Sequence, residues 1–380
     1  MTTSSLFLYE TREKTKLTKE IGILGAGQMG VAIAAAFLRR GFCVTLFDTS
    51  EQAVAMATER IAAELALQNV AYSAELSANL TCTRSLDEVC RTTFLLETIT
   101  EKLRAKSRLY AQVVPLFGDS SVLVSNTSTI SIDQLATTLS MDTNMAARFC
   151  GFHFFHPVRE RSLVEIIRGQ ATSTETLERA KQLACAIDKT PLTVNDGPGF
   201  VVNRLLNAYL SGSLQLLTEG ATIRQVDAAA EQFGMAMGPF RIMDEIGLDV
   251  TMHGGWVLYK AFPDRVEPSP ILLELVRNGH LGRKTGCGFY RYDSTTMWKS
   301  PGRSHAELDA AIAEKYRGGN DAPLPSVATE TIIDRSIGEM FREGRRILDD
   351  GIVTSPADVE LAAALGLGFP KHRWETVAKP

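Results

Sequence analysis

The sequence predicts an α/β protein, in which a doubly wound, largely parallel sheet is followed by an all-α C-terminal domain containing two tandem repeats. Three observations support this prediction: strand-like and helix-like segments alternate up to about residue 196, helical patterns alone follow Gly197-Pro198-Gly199, and those patterns recur at a fixed offset. A chain of 380 residues is also too long for one ordinary hydrophobic core.

The first half of the chain alternates short apolar runs with longer amphipathic segments, as strand–helix units of a parallel sheet do. We predict strands at residues 21–24, 44–47, 94–96, 122–124, 149–155, 163–167 and 192–194. We predict helices at 29–40, 53–67 and 174–187, the last begun by a capping box from Thr172 to Glu175.

The second half repeats itself at an offset of 131 residues, since 335 − 204 = 131 pairs Arg204 with Arg335. The same offset pairs Leu217 with Leu348, Gly220 with Gly351, Asp227 with Asp358, and Pro239 with Pro370. Five ordered matches favour a duplication over chance similarity of amphipathic helices. We predict a tail at 1–19, a sheet domain at 20–198, repeat 1 at 199–293, a linker at 294–326 and a truncated repeat 2 at 327–380.

Composition excludes several classes of function. The formal charge of −4 gives no electrostatic reason to expect a nucleic acid or an anionic membrane as partner. No apolar run has the roughly 18 residues of a membrane span, and the N-terminus has no secretory core, so we expect a cytoplasmic protein. Six scattered cysteines predict neither a metal site nor disulfides, but reduced and mostly buried thiols.

The turn Gly25-Ala26-Gly27-Gln28-Met29-Gly30 follows a predicted strand and opens a predicted helix, which makes the sheet Rossmann-type. Its glycines allow a tight turn, close approach of a pyrophosphate, and close helix–strand packing. Asp48 ends the next strand, where a carboxylate binds ribose hydroxyls and repels a 2′-phosphate. We therefore predict NAD rather than NADP, while FAD, which uses the same turn, stays an alternative.

His153 and Glu165 both lie in apolar, strand-like surroundings. A buried titratable pair is costly unless its members satisfy each other, and histidine is the natural base for a hydroxyl proton near neutral pH. From the residues alone, a hydrogen-bonded core histidine is about as plausible as a catalytic one.

Several ordered motifs resemble the L-3-hydroxyacyl-CoA dehydrogenase family, and most closely the dehydrogenase part of multifunctional fatty-acid oxidation α-subunits. Besides the glycine turn and Asn195-Asp-Gly-Pro-Gly-Phe-Val-Val-Asn-Arg204, the motifs are Leu96-Glu-Thr-Ile-Thr-Glu101, Ser125-Asn-Thr-Ser-Thr-Ile130, His153-Phe-Phe, Leu163-Val-Glu-Ile-Ile-Arg-Gly169 and Gly282-Arg-Lys-Thr-Gly-Cys-Gly-Phe-Tyr290. The resemblance extends from about Lys19 to the C-terminus.

This resemblance implies NAD-dependent oxidation of a 3-hydroxyacyl-CoA, as in fatty-acid β-oxidation, with possible association with a hydratase or thiolase. It makes His153 the general base and Glu165 its partner, and it places Ser128 and Asn203 on the substrate's 3-oxygen. It implies cofactor contacts from Asp48, Glu101 and Lys106.

The chain departs from the family pattern in two places. His156 stands where the family has Asn, and we expect this change to narrow or alter substrate choice. The segment 53–80 holds Arg60 as its only basic residue, where the family has several Lys, so CoA affinity is expected to be weaker. In repeat 2, Asp334 replaces the amide of Asn203, which predicts a packing role and a monomer.

Three other functions compete with this interpretation. A hydroxyisobutyrate-type dehydrogenase shares the glycine turn, but it uses a Lys base and lacks the His153–Glu165 pair. A non-catalytic NAD-binding subunit is disfavoured because His153, Glu165, Ser128 and Asn203 are all present. A dehydrogenase of another 3-hydroxyacyl thioester, such as one on an acyl carrier protein, stays open.

Overall fold

The computed structural model describes residues 18–138, 143–292, 315 and 327–373. Most of the predicted tail, nearly all of the predicted linker and the last seven residues of the predicted second repeat lie outside them. We call residues 20–198 the sheet half and the residues from 199 onward the helical half.

The sheet half contains one eight-stranded sheet in the order β3-β2-β1-β4-β5-β6-β7-β8. Its strands are β1 Glu20–Leu24, β2 Cys43–Phe47, β3 Leu80–Thr83, β4 Phe94–Glu97, β5 Val122–Ser125, β6 Phe149–Phe154, β7 Leu163–Arg168 and β8 Thr190–Asn195. All neighbouring pairs are parallel except β6 and β7. The predicted α/β class is confirmed, and the carboxyl ends of β1, β4 and β5 lie at one edge.

Helices cover the sheet. In this half they are α1 Gln28–Leu38, α2 Glu51–Ala66, α3 Ala74–Ala78, α4 Leu86–Val89, α5 Leu103–Val113, α6 Ile132–Thr138, α7 Thr143–Ala147 and α8 Thr174–Ala186. The predicted capping box at Thr172 is wrong: Ser173 caps α8 by accepting from the Thr176 amide. The Thr172 hydroxyl instead donates to the Phe149 carbonyl, which ties the helix entry to β6.

The helical half confirms the predicted all-α character. Its helices are α9 Val202–Glu219, α10 Ile223–Phe233, α11 Pro239–Ile246, α12 Leu248–Ala261, α13 Pro270–Arg277, α14 Thr329–Ile333, α15 Glu339–Asp349 and α16 Pro356–Leu367. A π-helical turn, Asp334–Gly338, joins α14 to α15. One apolar core runs from the sheet into these helices, so the two halves share buried side chains.

Two ion pairs across the helical half are related by the same offset of 131. Arg204 binds Asp350 at 2.8 Å, and Arg335 binds Glu219. Exchanging each residue for its counterpart turns one pair into the other, since 204 + 131 = 335 and 350 − 131 = 219. Such a reciprocal arrangement is typical of two copies facing each other about a twofold axis. It supports the duplication, which itself stays a prediction.

Two further sequence predictions concern thiols and membranes. The six cysteines, all among the described residues, form no disulfide, but only Cys90 and Cys150 are buried, so the prediction of mostly buried thiols is wrong. Within the described residues, no helix combines the length and apolar character needed to cross a bilayer. In the same part of the chain, no three His, Cys, Asp or Glu side chains are grouped to hold a metal ion.

Candidate active site

The glycine turn joins the end of β1 to the start of α1, next to the point where the strand order changes direction. Gly25 has φ +116°, which favours glycine, and a Cβ on Gly30 would lie 1.8 Å from the Gly25 carbonyl oxygen. A Cβ on Gly27 would meet nothing within 4 Å. The turn is therefore tightly packed at Gly25 and Gly30, whereas there is free space beside Gly27. Gln28 and Met29 begin α1, with Met29 partly buried against the sheet.

Two side chains form hydrogen bonds with the backbone of Ala26 in this turn, one with its amide and one with its carbonyl. Asp48, at the end of β2, accepts the Ala26 amide at 2.8 Å, and Arg60 of α2 donates to the Ala26 carbonyl at 2.8 Å. Asp48 also accepts from the Ser50 amide, which begins the turn into α2. The sequence predicted Asp48 at this place but gave Arg60 no role here.

His153 and Glu165 face each other across β6 and β7. They are direct partners in the antiparallel register, and His153 Nδ1 lies 2.8 Å from Glu165 Oε2. His153 is 5% exposed and Glu165 is fully buried. In the neutral tautomer that donates the Nδ1 proton to this carboxylate, Nε2 is the nitrogen without a proton.

Glu165 is also bonded to the helical half. Its Oε1 accepts the amides of Val201 at 3.1 Å and Val202 at 2.9 Å, at the N-terminal end of α9. The chain turns toward these contacts through Gly199 and Phe200, both with positive φ. Free amides and the helix dipole stabilise a negative charge at this position. One carboxylate thus orients His153 with one oxygen and anchors α9 with the other.

Ser128 and Asn203 are brought together by the loop after β5 and the first turn of α9. Asn203 Nδ2 donates to the Ser128 carbonyl at 3.1 Å, and both residues line one end of a cavity of about 200 Å³. Asn203 follows Val202 directly, so it lies beside the Glu165 anchor. The four residues that the family resemblance implied for the 3-hydroxyl are thus joined to one another through hydrogen bonds and α9.

Glu101 organises the loop that carries Ser128. Its Oε1 accepts the amides of Ser128 and Thr129 and the hydroxyl of Thr127. Burial raises the pKa of Glu101, but the charge of Lys106 and these hydrogen bonds outweigh it and leave the pKa below its usual value. Glu101 is therefore a carboxylate at neutral pH.

Lys106 lies behind this loop. Its side chain is 1% exposed, and its ammonium binds Glu97 at 2.6 Å and Glu101 at 3.4 Å. The hydroxyls of Tyr110 and Ser125 complete the cluster around Glu97. The structure thus places Lys106 where it supports Glu101 from inside the protein.

His156 lies beside the glycine turn, next to the start of α1. Its Nε2 is 3.3 Å from the side-chain amide nitrogen of Gln28, the first residue of α1. Burial lowers the pKa of His156, the carboxylates of Glu64 and Glu160 raise it, and Arg159 and Arg161 lower it, for a net decrease. The ring is therefore neutral at pH 7, as the family's Asn is.

Sequence reasoning missed Asn126 as well as Arg60. Asn126 Oδ1 accepts the Phe154 amide at 2.8 Å, which fixes the strand end beside His153 to the Ser128 loop. Asn126 lies inside one of the family motifs, so its position between two functional residues was a signal. The contact of Arg60 with the glycine turn had none.

Comparison with known proteins extends these observations. Residues 20–197 match the family model "3-hydroxyacyl-CoA dehydrogenase, NAD binding domain", and residues 199–292 match "3-hydroxyacyl-CoA dehydrogenase, C-terminal domain". A curated relative, the fatty acid oxidation complex subunit alpha of a Psychrobacter species, is 34% identical over 93% of this chain. The chain spans about half of that relative, since the match covers 49% of it.

Solved structures are similar as well. The (S)-3-hydroxybutyryl-CoA dehydrogenase of Ralstonia eutropha is 35% identical, with a TM-score of 0.68 over 73% of this chain and 100% of that one. The 3-hydroxybutyryl-CoA dehydrogenase of Escherichia coli shares the fold, with 24% identity and a TM-score of 0.79 over 94% of this chain and 91% of that one.

Proposed function

The chain belongs to the 3-hydroxyacyl-CoA dehydrogenase family, and on this premise we propose that it oxidises (S)-3-hydroxyacyl-CoA reversibly to 3-ketoacyl-CoA with NAD. The observation that carries the proposal is the buried pair of His153 and Glu165, in which His153 Nδ1 lies 2.8 Å from Glu165 Oε2.

The residues of the glycine turn fit NAD. Gly27 leaves room for a pyrophosphate, and the amides at the start of α1 offer it hydrogen bonds and a partial positive charge. The Asp48 carboxylate beside the turn suits two ribose hydroxyls and disfavours a 2′-phosphate. When bound, NAD supplies the nicotinamide carbon that accepts a hydride from C3 of the substrate.

The protein's own residues handle the proton and the charge. His153 Nε2 removes the proton of the 3-hydroxyl, and the imidazolium formed is stabilised by Glu165. We propose that the Asn203 amide and the Ser128 hydroxyl donate hydrogen bonds to the oxygen as it becomes a ketone. Both side chains can donate a hydrogen bond, and both residues line the same cavity.

The proposal is tested by following NADH consumption with acetoacetyl-CoA. We expect turnover by the wild-type protein, and a kcat lower by about 10²–10⁴-fold for His153→Gln, because a general base contributes that much. Absence of turnover with any 3-ketoacyl-CoA, with NADH binding retained, would favour the non-catalytic NAD-binding subunit. Turnover confined to carrier-protein thioesters would favour the second alternative.

Glu165→Gln separates the orienting role of Glu165 from folding. The carbonyl of the introduced side-chain amide can still accept the backbone amides at the start of α9, but its NH₂ group faces Nδ1 and favours the wrong imidazole tautomer. We expect kcat to fall by about 10²-fold or more while the Kd for NADH stays within about twofold of wild type. An unchanged kcat would show that His153 needs no such partner.

Partners and location follow the same proposal. Acyl-CoA is the substrate that the family membership implies. Association with a hydratase or thiolase is a proposal supported by the curated relative, which is named as a subunit of a fatty acid oxidation complex. A cytoplasmic location stays a prediction.

A further inference from the structure

Arg60 of α2 reaches the glycine turn from outside the motif. Its Nη1 donates to the Ala26 carbonyl at 2.8 Å. Among the described residues this is the one hydrogen bond of the guanidinium, and no carboxylate there forms an ion pair with it. Arg60 is also the one basic residue of the segment 53–80. Its positive charge is therefore committed to a backbone carbonyl and is not neutralised by an acidic side chain of the described chain.

Helix α2 presents Arg60 from a fixed position. Ser50 caps the first turn of the helix. Ala57, Ile61 and Leu65 follow at intervals of four residues, are fully buried, and share an apolar cluster with the buried side chains of α1. Arg60 directly precedes Ile61, so its side chain leaves the helix at the edge of this buried face. The packing of α2 thus determines where the guanidinium can reach.

The bond to Ala26 also orients the next amide of the turn. The peptide bond between Ala26 and Gly27 is trans, so the Ala26 carbonyl and the Gly27 amide point in opposite directions. In the described part of the chain, the Gly27 amide donates to no protein group. A Cβ on Gly27 would meet nothing within 4 Å. A side chain that holds the carbonyl therefore fixes the direction of a free donor that has open space beside it.

Glycine at position 27 makes this peptide unit easy to turn over. Turning it requires a change in φ of Gly27, which is −69° here, and glycine also adopts positive φ at little cost. The turned unit would direct the Ala26 carbonyl, and not the amide, to where the amide now points. Asp48 accepts the Ala26 amide, which belongs to the preceding peptide unit. Of the two side chains bonded to Ala26, Arg60 is thus the one that restrains this peptide unit.

A free amide and a nearby cation both suit an anionic ligand. The N-terminus of α1 adds unpaired amides and a partial positive charge. A carbonyl oxygen in the same place would repel a phosphate oxygen, because both carry negative charge. The direction of the peptide unit after Ala26 therefore decides whether the turn attracts or repels a pyrophosphate.

We propose that Arg60 is a positioning residue for NAD, which holds the Ala26 carbonyl away from the pyrophosphate and thereby keeps the Gly27 amide directed at it. This inference rests on the proposed function, in which NAD is the cofactor. It gives Arg60 no part in the transfer of the hydride or in the removal of the proton by His153. Arg60 therefore acts on the affinity for the cofactor and not on the chemical step.

The experiment compares three variants. Arg60→Met removes the hydrogen bond and the charge but keeps a long, unbranched side chain, and Arg60→Lys keeps a donor and the charge. Arg91→Met is the matched control, since Arg91 is exposed and precedes β4, at the edge of the sheet opposite the glycine turn. Calorimetry measures the Kd of NADH and of ADP-ribose, which has the pyrophosphate but no nicotinamide. Steady-state kinetics uses NADH and reduced nicotinamide mononucleotide, which has no pyrophosphate. Thermal melting checks that each variant is folded.

We expect Arg60→Met to raise the Kd of NADH and of ADP-ribose by about tenfold each, because a hydrogen bond from a charged group is lost. The kcat at saturating NADH, and kcat/KM for the mononucleotide, should stay within about twofold of wild type. Arg60→Lys should recover most of the lost affinity, and Arg91→Met should bind like wild type. The loss in Arg60→Met should persist in about 0.5 M NaCl, because salt screens long-range attraction far more than a direct hydrogen bond.

Several results would overturn the inference. One is an unchanged Kd of ADP-ribose in Arg60→Met. Another is a loss that disappears in salt, which would make Arg60 a source of long-range attraction only. A larger loss for NADPH than for NADH would place the guanidinium on the ribose, and an equal loss with the mononucleotide would indicate a general effect on the fold. If the wild type binds neither NADH nor ADP-ribose, the proposed function fails as well. If wild type and Arg60→Met bind both equally, this inference alone fails.

Discussion

At the scale of single residues, His156 links the segment that carries His153, the proposed base, to the glycine turn through its contact with Gln28. The sequence led us to expect an effect on substrate choice. In the structure the His156 ring contacts Gln28, at the start of α1. Because Gln28 belongs to the glycine turn, this contact favours an effect of His156 on cofactor binding.

We predict that His156→Asn raises the KM for NADH by about fivefold. Asn is too short to reach Gln28, and a hydrogen bond of this kind contributes about 1 kcal/mol. The order of preference among acyl chain lengths should stay unchanged. Steady-state kinetics with NADH and with three acyl-CoAs measures both quantities. An altered chain-length preference at unchanged KM for NADH would instead support the prediction from the sequence that His156 affects substrate choice.

The difference in KM for NADH between the wild type and His156→Asn should change with pH in a defined direction. The lowered pKa of His156 means that the ring gains its charge only below the usual histidine range, near pH 6.5. A cation there would attract the pyrophosphate, so wild-type KM for NADH should improve relative to His156→Asn in acid. Between pH 7 and 8 the ratio of the two KM values should be constant.

The identities of the site residues could be read from the sequence, but several of their contacts could not. Gly25, Gly27, Gly30 and Asp48 follow from local rules, since a strand, a turn and a helix are contiguous in the chain. Arg60 reaches the Ala26 carbonyl from a helix that begins 25 residues later (51 − 26). Only the packing of α2 on the sheet decides that contact.

At the scale of elements, the direction of one strand brings His153 and Glu165, the proposed catalytic pair, together. The alternating pattern predicted a largely parallel sheet, but β7 runs antiparallel to β6, and this pairing puts His153 opposite Glu165. Apolar runs reveal buried strands without revealing their direction, which depends on the connection. The sequence therefore supplied both residues without the geometry that joins them.

The missed strand β3 has a different cause. Leu80–Thr83 is an edge strand with only one buried residue, and its sequence Leu-Thr-Cys-Thr has no apolar run. Its place in the sheet comes from backbone pairing with β2, over the register Val44–Leu80 to Phe47–Thr83. Pairing of this kind leaves little trace in hydrophobic periodicity.

The contact between α10 and α11 gives a pH prediction. Burial raises the pKa of Asp227 to about 7, against hydrogen bonds from the Tyr290 hydroxyl and the Phe240 amide that lower it. The folded protein thus keeps this proton up to about pH 7, whereas the unfolded chain loses it near pH 3.8. The free energy of unfolding therefore falls as the pH rises through this window, by roughly 4 kcal/mol from this group.

We expect Asp227→Asn to remove this loss of folding stability at high pH. We expect the variant to be close to wild type in stability at pH 4.5 and more stable at pH 8, because an amide stays neutral and the Tyr290 hydroxyl can accept its hydrogen bond. Urea unfolding at the two pH values measures the difference. An equal difference between variant and wild type at both pH values would contradict the raised pKa.

At the scale of the whole molecule, helix α9 crosses closely over the π-helical turn that joins α14 to α15. A Cβ on Gly212 would lie 2.0 Å from the Arg335 carbonyl oxygen, which is backbone and cannot rotate away. We predict that Gly212→Ala destabilises the protein by about 1–3 kcal/mol and lowers the melting temperature by about 5 °C.

Gly254→Ala is the matched control, because it makes the same change inside another helix where the new methyl meets nothing. This variant should melt at the same temperature as the wild type or higher. If the two variants shifted the melting temperature equally, helix propensity alone would explain both, and the close crossing of α9 and the π-helical turn would contribute nothing.

The carboxylate of Glu165 has a consequence for how this molecule could diverge. One oxygen serves chemistry in the sheet half, and the other closes the first turn of a helix in the helical half. A helical half taken from another protein would leave the proposed base undisturbed only if it presented two backbone amides to Glu165 in the same way. Activity thereby reports on whether the joint between them is intact.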